Sequence, residues 1–221
     1  MNLQENIQRI KQMMGLLLEE NNMSISDMVR KDQEMRKQEK FDTEVDLTNQ
    51  NQLKQLIGQD PQSFIENITN PEDIRGMWLI AQHADNDLEF QKIILDLLET
   101  NKDMLVQKFN IDSQTVLQGI AMLTDRVMVN SSTSLKHHRD GSNDNFSDVN
   151  SGIQKYGTQG GVHNGSWVPR PIEMDGQTYF FETPEELYEN QEFLMKINKI
   201  RNENGLPNLE DYVSNMQQYA S

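Results

Sequence analysis

The sequence predicts a mainly α fold: one helical domain over residues 1–221, with a long polar loop at 131–166 and a small β-hairpin inserted at 172–181. Three observations lead there. Apolar residues recur at helical spacing in most of the chain, as in Val116, Ile120, Leu123 and Val127. Between residues 131 and 166, Ser, Asn, Gly, Asp and His replace almost all large apolar residues. Beyond that tract, Asp175-Gly176 lies between β-prone residues, a hairpin signal.

The elements follow in order. Leu3, Ile7, Ile10, Met14 and Leu17 predict an amphipathic helix over the first 22 or so residues, and a second helix spans Ser26 to Lys40. The polar passage FDTEVDLTNQNQ comes next, then a short helix around Leu53, Leu56 and Ile57 that closes at Gly58 and Pro61. A helix is expected from Pro71 to Ala84. Asp85, Asn86 and Asp87 offer N-caps for another, Leu88 to Glu99. The last long helix starts at Thr183 (N-cap), Pro184 (N1) and Glu186 (N3), a capping box. Gly205 and Pro207 end it, and Asn208 is placed to cap a short terminal helix with Leu209, Tyr212 and Val213.

Composition narrows the function classes. The chain has 221 residues, enough to bury about 70% of its unfolded surface without staples. It has no cysteine, so disulfides and thiolate metal sites are excluded, which fits a reducing compartment. Glu5, Arg9 and Lys11 interrupt the N-terminal apolar pattern, arguing against a signal peptide. No stretch reaches the ~18 consecutive apolar residues of a membrane span, so a cytoplasmic location is expected. The formal charge of -15 opposes nonspecific binding to phosphate backbones. It suits solubility or a basic protein partner.

Candidate site residues are polar side chains on otherwise apolar stripes. Asp32 follows Ile25 and Met28 on one face, with Arg36 a turn later, so a buried ion pair is expected. Ile74, Trp78 and Ala81 lead into Gln82 and Asp85, and His83 lies beside them. A lone helical histidine such as His83 is more often a packing or capping residue than a catalyst, and Asp85 and Asp87 are more often caps than ligands; one His with two Asp is a poor zinc set. Met122 and Val129 bracket Asp125 and Arg126, and Leu194, Ile197 and Arg201 share a stripe from which Arg201 can also snorkel to water. Tyr156-Gly157-Thr158-Gln159 is no phosphate-binding loop, because no lysine motif follows it, but it suits a loop that covers a ligand. His137 and His138 read as surface residues. No Ser-His-Asp order or nucleophile elbow is present, and no metal or cofactor is indicated.

DQEMR (Asp32–Arg36), WLIAQHAD (Trp78–Asp85), FQ (Phe90-Gln91), LTDRVMV (Leu123–Val129), QKYGTQ (Gln154–Gln159) and RNENGLPNLEDY (Arg201–Tyr212) occur in that order. The set resembles a bacterial domain-of-unknown-function family with QHAD, DR, YGTQ and RxxxGL elements. The resemblance runs from about Asp27 to Tyr212 and implies no established activity. Its motif positions fall on Asp32, Gln33, Arg36, Gln82, His83, Asp85, Gln91, Asp125, Arg126, Tyr156, Gln159 and Arg201. The chain departs from the family at Gly58-Gln59-Asp60-Pro61, where a Gly-Trp-Pro-like turn is expected, in a longer loop before Gln154, and in the hairpin after Pro171.

Two functional expectations follow. In the first, the motif residues line a polar inter-helical pocket for a small anionic or polar ligand, in a hydrolase or transferase or a non-catalytic binder. His83 would transfer protons, oriented by Asp85 or Asp125. Arg36, Arg126 and Arg201 would hold the anion with Asp32, Gln33, Gln82 and Gln91, and Tyr156 and Gln159 would close over it. In the second, the chain is an acidic protein-binding module, antitoxin- or immunity-like, that meets a basic partner without catalysis.

Overall fold

A computed structural model describes residues 23–37, 43–132 and 152–220. The helix expected over the first 22 residues, and His137, His138 and the rest of 133–151, lie outside these. The chain divides into two compact units, residues 1–80 and 81–221. The fold is mainly α with small antiparallel strand pairs. Among the described residues no helix is long and apolar enough to cross a membrane.

The first unit holds α1 (Ile25–Lys37), α2 (Thr43–Ile57), α3 (Pro61–Asn67) and most of α4 (Pro71–Gln82). Much of the polar passage read as a connection is helical: α2 begins at Thr43, well before the expected apolar cluster. Its buried face carries Asn49 and Gln50 before Leu53 and Ile57, so the stripe is half polar. Asn49 donates to the Met28 carbonyl of α1 at 3.2 Å, which satisfies a buried amide that a hydropathy pattern reads as solvent-facing. Pro61, expected with Gly58 to close a helix, opens α3 instead: Asp60 caps Ser63 N at 3.0 Å and proline takes N1, where its missing N–H costs nothing.

In the second unit α5 (Leu88–Phe109) and α6 (Ser113–Ser132) form the most extensive helix pair. Asp87 is the cap among the three candidates, accepting from Phe90 N at 3.0 Å. α5 continues ten residues past the expected end at Glu99. Asn101, on its buried face, bonds back to the Leu97 carbonyl at 2.9 Å and does not interrupt the helix. Asn110, left-handed at φ 49, ends it.

The tract expected to be loop over 131–166 is structured at both ends. α6 reaches Ser132, and β1 (Gly160–His163) pairs with β2 (Ser166–Pro169) across Asn164-Gly165. The expected hairpin is present as β3 (Ile172–Met174) and β4 (Gln177–Tyr179). In both turns the two central residues have positive φ (49 and 80, then 54 and 73), the type I′ geometry that matches strand twist. The Trp167 ring approaches Gly160 so closely that a Cβ there would overlap the ring and the Val168 carbonyl. Gly160→Ala is expected to cost about 1–3 kcal/mol through overpacking, read as a lower denaturant midpoint.

The predicted last helix is two helices. α7 (Pro184–Glu189) starts with the expected cap, Glu186 N to Thr183 Oγ1 at 3.3 Å. The chain then breaks at Asn190, whose side chain caps Phe193 N at 3.2 Å and starts α8 (Gln191–Glu203). Gly205, at φ 72, follows the C-terminus as expected. Asn208 precedes α9 (Leu209–Met216) but makes no side-chain cap; Asn198 of α8 reaches across and accepts from Leu209 N at 2.7 Å. Trp167, Ile172, Phe193, Ile197, Leu209 and Val213 join the hairpins and α7–α9 in one core. Phe181 and Tyr179 stack on Phe193 at 5.1 and 4.6 Å.

Candidate functional site

The sequence-selected residues fall into three groups. Asp32, Gln33 and Arg36 belong to the first unit. Asp32 is 2% exposed, and Arg36 Nε meets its Oδ1 at 3.0 Å, the i, i+4 pairing the sequence predicts. Gln33 donates to Asp32 Oδ2 at 2.8 Å, and the other arm of Arg36 reaches Asp46 on α2 at 2.8 Å. The arrangement ties α1 to α2.

The second group centres on Asp125, fully buried on α6. Its Oδ1 accepts from the backbone N–H of Lys155 (2.8 Å) and Tyr156 (2.9 Å), and its Oδ2 from the N–H and the hydroxyl of Thr158 (both 2.8 Å). Burial pushes the Asp125 carboxyl up from the ordinary carboxylate range, and these four hydrogen bonds pull it back down. Each oxygen already takes two donors, none of them from His83. Asp125 therefore folds the Tyr156–Gln159 loop onto α6.

Arg201 of α8 fastens the same loop from the other side. It is the largest fully buried side chain among the described residues, so it does not snorkel. Its Nε donates to the Pro207 carbonyl at 2.7 Å and its Nη1 to the Tyr156 carbonyl, and the guanidinium lies 5.1 Å from the centre of the Tyr212 ring. Burial lowers its pKa to about 10, against the opposing pull of Asp125. The Tyr156 ring packs with Ala121 and Leu206, and Gln159 is fixed through its backbone by Gln154 (2.7 Å at both N and O). The Tyr212 hydroxyl donates to the Thr158 carbonyl at 2.9 Å. Tyr156 and Gln159, expected to close over a ligand, are built into this packed loop.

The third group lies where the chain leaves α4 and enters α5. Gln91, fully buried, donates to the Ala81 carbonyl at 3.0 Å. Asn130 of α6 donates to Gln91 Oε1 (2.9 Å) and to Asp85 Oδ1 (3.2 Å). Arg126, one turn before Asn130, has Nε 3.6 Å from the same Asp85 oxygen, outside hydrogen-bond range. The Arg126 and Asp85 side chains are 29% and 45% exposed. Among the described residues Arg126 makes no hydrogen bond, and its Nε is shielded from water. The buried Gln82 amide nitrogen, in the same segment, also has no partner, and half-buried His83 follows it.

Asp125 and Arg126 are adjacent in sequence but serve different groups, one the packed loop and the other the turn at residues 81–87. Sequence reasoning passed over Asn130, Gln154, Thr158 and Tyr212. The last three lie inside motif segments already singled out, and Asn130 follows LTDRVMV directly. Compared with protein-family models, curated proteins and solved structures, the chain matches none.

Proposed function

We propose that the unit formed by residues 81–132 and 152–220 binds a small anionic or polar ligand at the third group, with Arg126 as the principal contact. The observation that carries this reading is the state of Arg126. A guanidinium offers five donors and cannot shed its charge, so a mostly buried one is normally hydrogen-bonded. Arg126 has no hydrogen bond to any described residue. An oxyanion would answer that deficit. In this reading Asp125, Arg201, Tyr156 and Gln159 hold the scaffold, while Gln82, His83, Asp85, Gln91 and Arg126 form the site. If the bound molecule is turned over by hydrolysis or group transfer, this reading gives His83 the proton-transfer role.

The test is a thermal-shift screen against inorganic phosphate, sugar phosphates, nucleotides, carboxylates and amino acids. A ligand at ~100 times its dissociation constant should stabilise the protein by about 2.7 kcal/mol. Arg126→Ala should abolish the response and leave the fold unchanged. A response that survives Arg126→Ala refutes the assignment. A flat response across the panel transfers the case to the acidic protein-binding module, whose association with a basic partner would weaken steeply with salt.

A further inference from the structure

Resting on that reading, we propose that the ligand is zwitterionic: an α-amino acid or a close derivative, with its carboxylate on Arg126 and its ammonium on Asp85. Asp85 is not an ordinary surface carboxylate. Asn130 (5% exposed) and Gln91 (0%) are side-chain amides taken out of water, and together they fix its position. Asn130 bridges Gln91 Oε1 and Asp85 Oδ1, while Gln91 is anchored on the Ala81 carbonyl. An exposed ion pair needs no such support and gains little from it. A carboxylate that must meet a partner in a fixed direction does need it.

The relay occupies Oδ1 and leaves Oδ2 without a partner among the described residues, on a side chain nearly half exposed. The adjacent cation does not use it: the approach of Arg126 is 3.6 Å, to Oδ1, with no hydrogen bond made. Arg126 and Asp85 thus stand as an ion pair 3.6 Å apart with no hydrogen bond between them, a fixed acceptor beside a donor array, each with bonding capacity left over. A simple anion would fill Arg126 and be repelled by Asp85. A simple cation would do the reverse. A molecule with both charges a few bonds apart meets both, and an α-amino acid, with ammonium and carboxylate on one carbon, has that spacing.

Binding is measured by titration calorimetry for a panel of free L-amino acids, their N-acetyl derivatives, acetate and inorganic phosphate, on wild type and Asp85→Asn. At least one free amino acid is expected to bind ten times or more tighter than its N-acetyl counterpart. Asp85→Asn, which keeps an oxygen to accept from Asn130, should erase that preference. If N-acetyl and free forms bind alike, if Asp85→Asn keeps the preference, or if only phosphate or acetate binds, the zwitterion proposal is overturned and the anion reading stands. If no compound binds, both fall.

Discussion

Asp125→Ala is expected to lower the stability of the protein by about 3–5 kcal/mol, the scale measured when one partner of a buried charged network is removed. The four donors that meet the Asp125 carboxylate come from three residues of one loop, Lys155, Tyr156 and Thr158, and Tyr156 and Thr158 are themselves buried. Each donor left without an acceptor costs about 1–3 kcal/mol, and a methyl group cannot replace any of them. Urea denaturation measures the loss, and hydrogen exchange at Tyr156 and Thr158 should speed up more than exchange in α5. Asp125→Asn should fall between, because one oxygen remains while its amide N–H group faces the Thr158 donors. The two proteins should also differ in pH response. Burial raises the Asp125 carboxyl above its ordinary value of 3.8 in the folded state. Its contribution is therefore fully present below the ordinary value and lost as pH rises through the folded one. Asparagine cannot titrate, so Asp125→Asn should trail the wild type further as pH falls from neutral towards 4. An Asp125→Ala protein within 1 kcal/mol of wild type would mean that the loop is held by other contacts.

Much of this arrangement could be read from local signals, and the rest depends on contacts far apart in sequence. The Asp32–Arg36 pair is an i, i+4 relation on one helix, so periodicity alone exposes it. Thr183, Pro184 and Glu186 announce α7 for the same reason: a cap is local chemistry. The break at Asn190 has no apolar signature, because Asn190 ends one helix and starts the next with its own side chain. The first part of α2 was hidden because Asn49 and Gln50 occupy its buried face, and only its end around Leu53 and Ile57 was legible. The β1–β2 hairpin was hidden by composition. Its Asn164-Gly165 turn is a strong hairpin dipeptide, but it closes a tract rich in Ser, Asn and Gly, and β1 itself contains two glycines. For the site, periodicity located Asp125, Arg126 and Arg201 correctly on covered helix faces. It could not show that Asp125 reaches forward 30 residues to Lys155 and 33 to Thr158, or that Arg126 turns back to Asp85. Neighbours in sequence were assigned one task where the fold gives them two.

Arg201→Ala is expected to be as damaging as the loss of Asp125, at about 3–5 kcal/mol, for partly different reasons. A fully buried arginine is a large volume, and its truncation leaves a cavity under the Tyr212 ring. The Tyr156 and Pro207 carbonyls lose their donor. The change also removes the charge that Asp125 helps to hold on the buried guanidinium. Arg201→Lys separates these causes. Lysine keeps the charge and much of the volume but is a single point donor, unable to span carbonyls on two segments. A loss of about 1–2 kcal/mol in Arg201→Lys would place most of the effect in charge and packing. A loss close to that of Arg201→Ala would place it in the fork that joins Tyr156 to Pro207. The double variant Asp125→Ala/Arg201→Ala decides whether the two residues act as one device. Both hold the backbone of the same loop, so their effects should fall short of additivity by about 1–3 kcal/mol. Because neither residue forms a hydrogen bond or ion pair with Arg126, Arg201→Lys should retain the ligand response that Arg126→Ala removes. Full additivity would instead show that Asp125 and Arg201 fasten the loop independently, one to α6 and the other to α8.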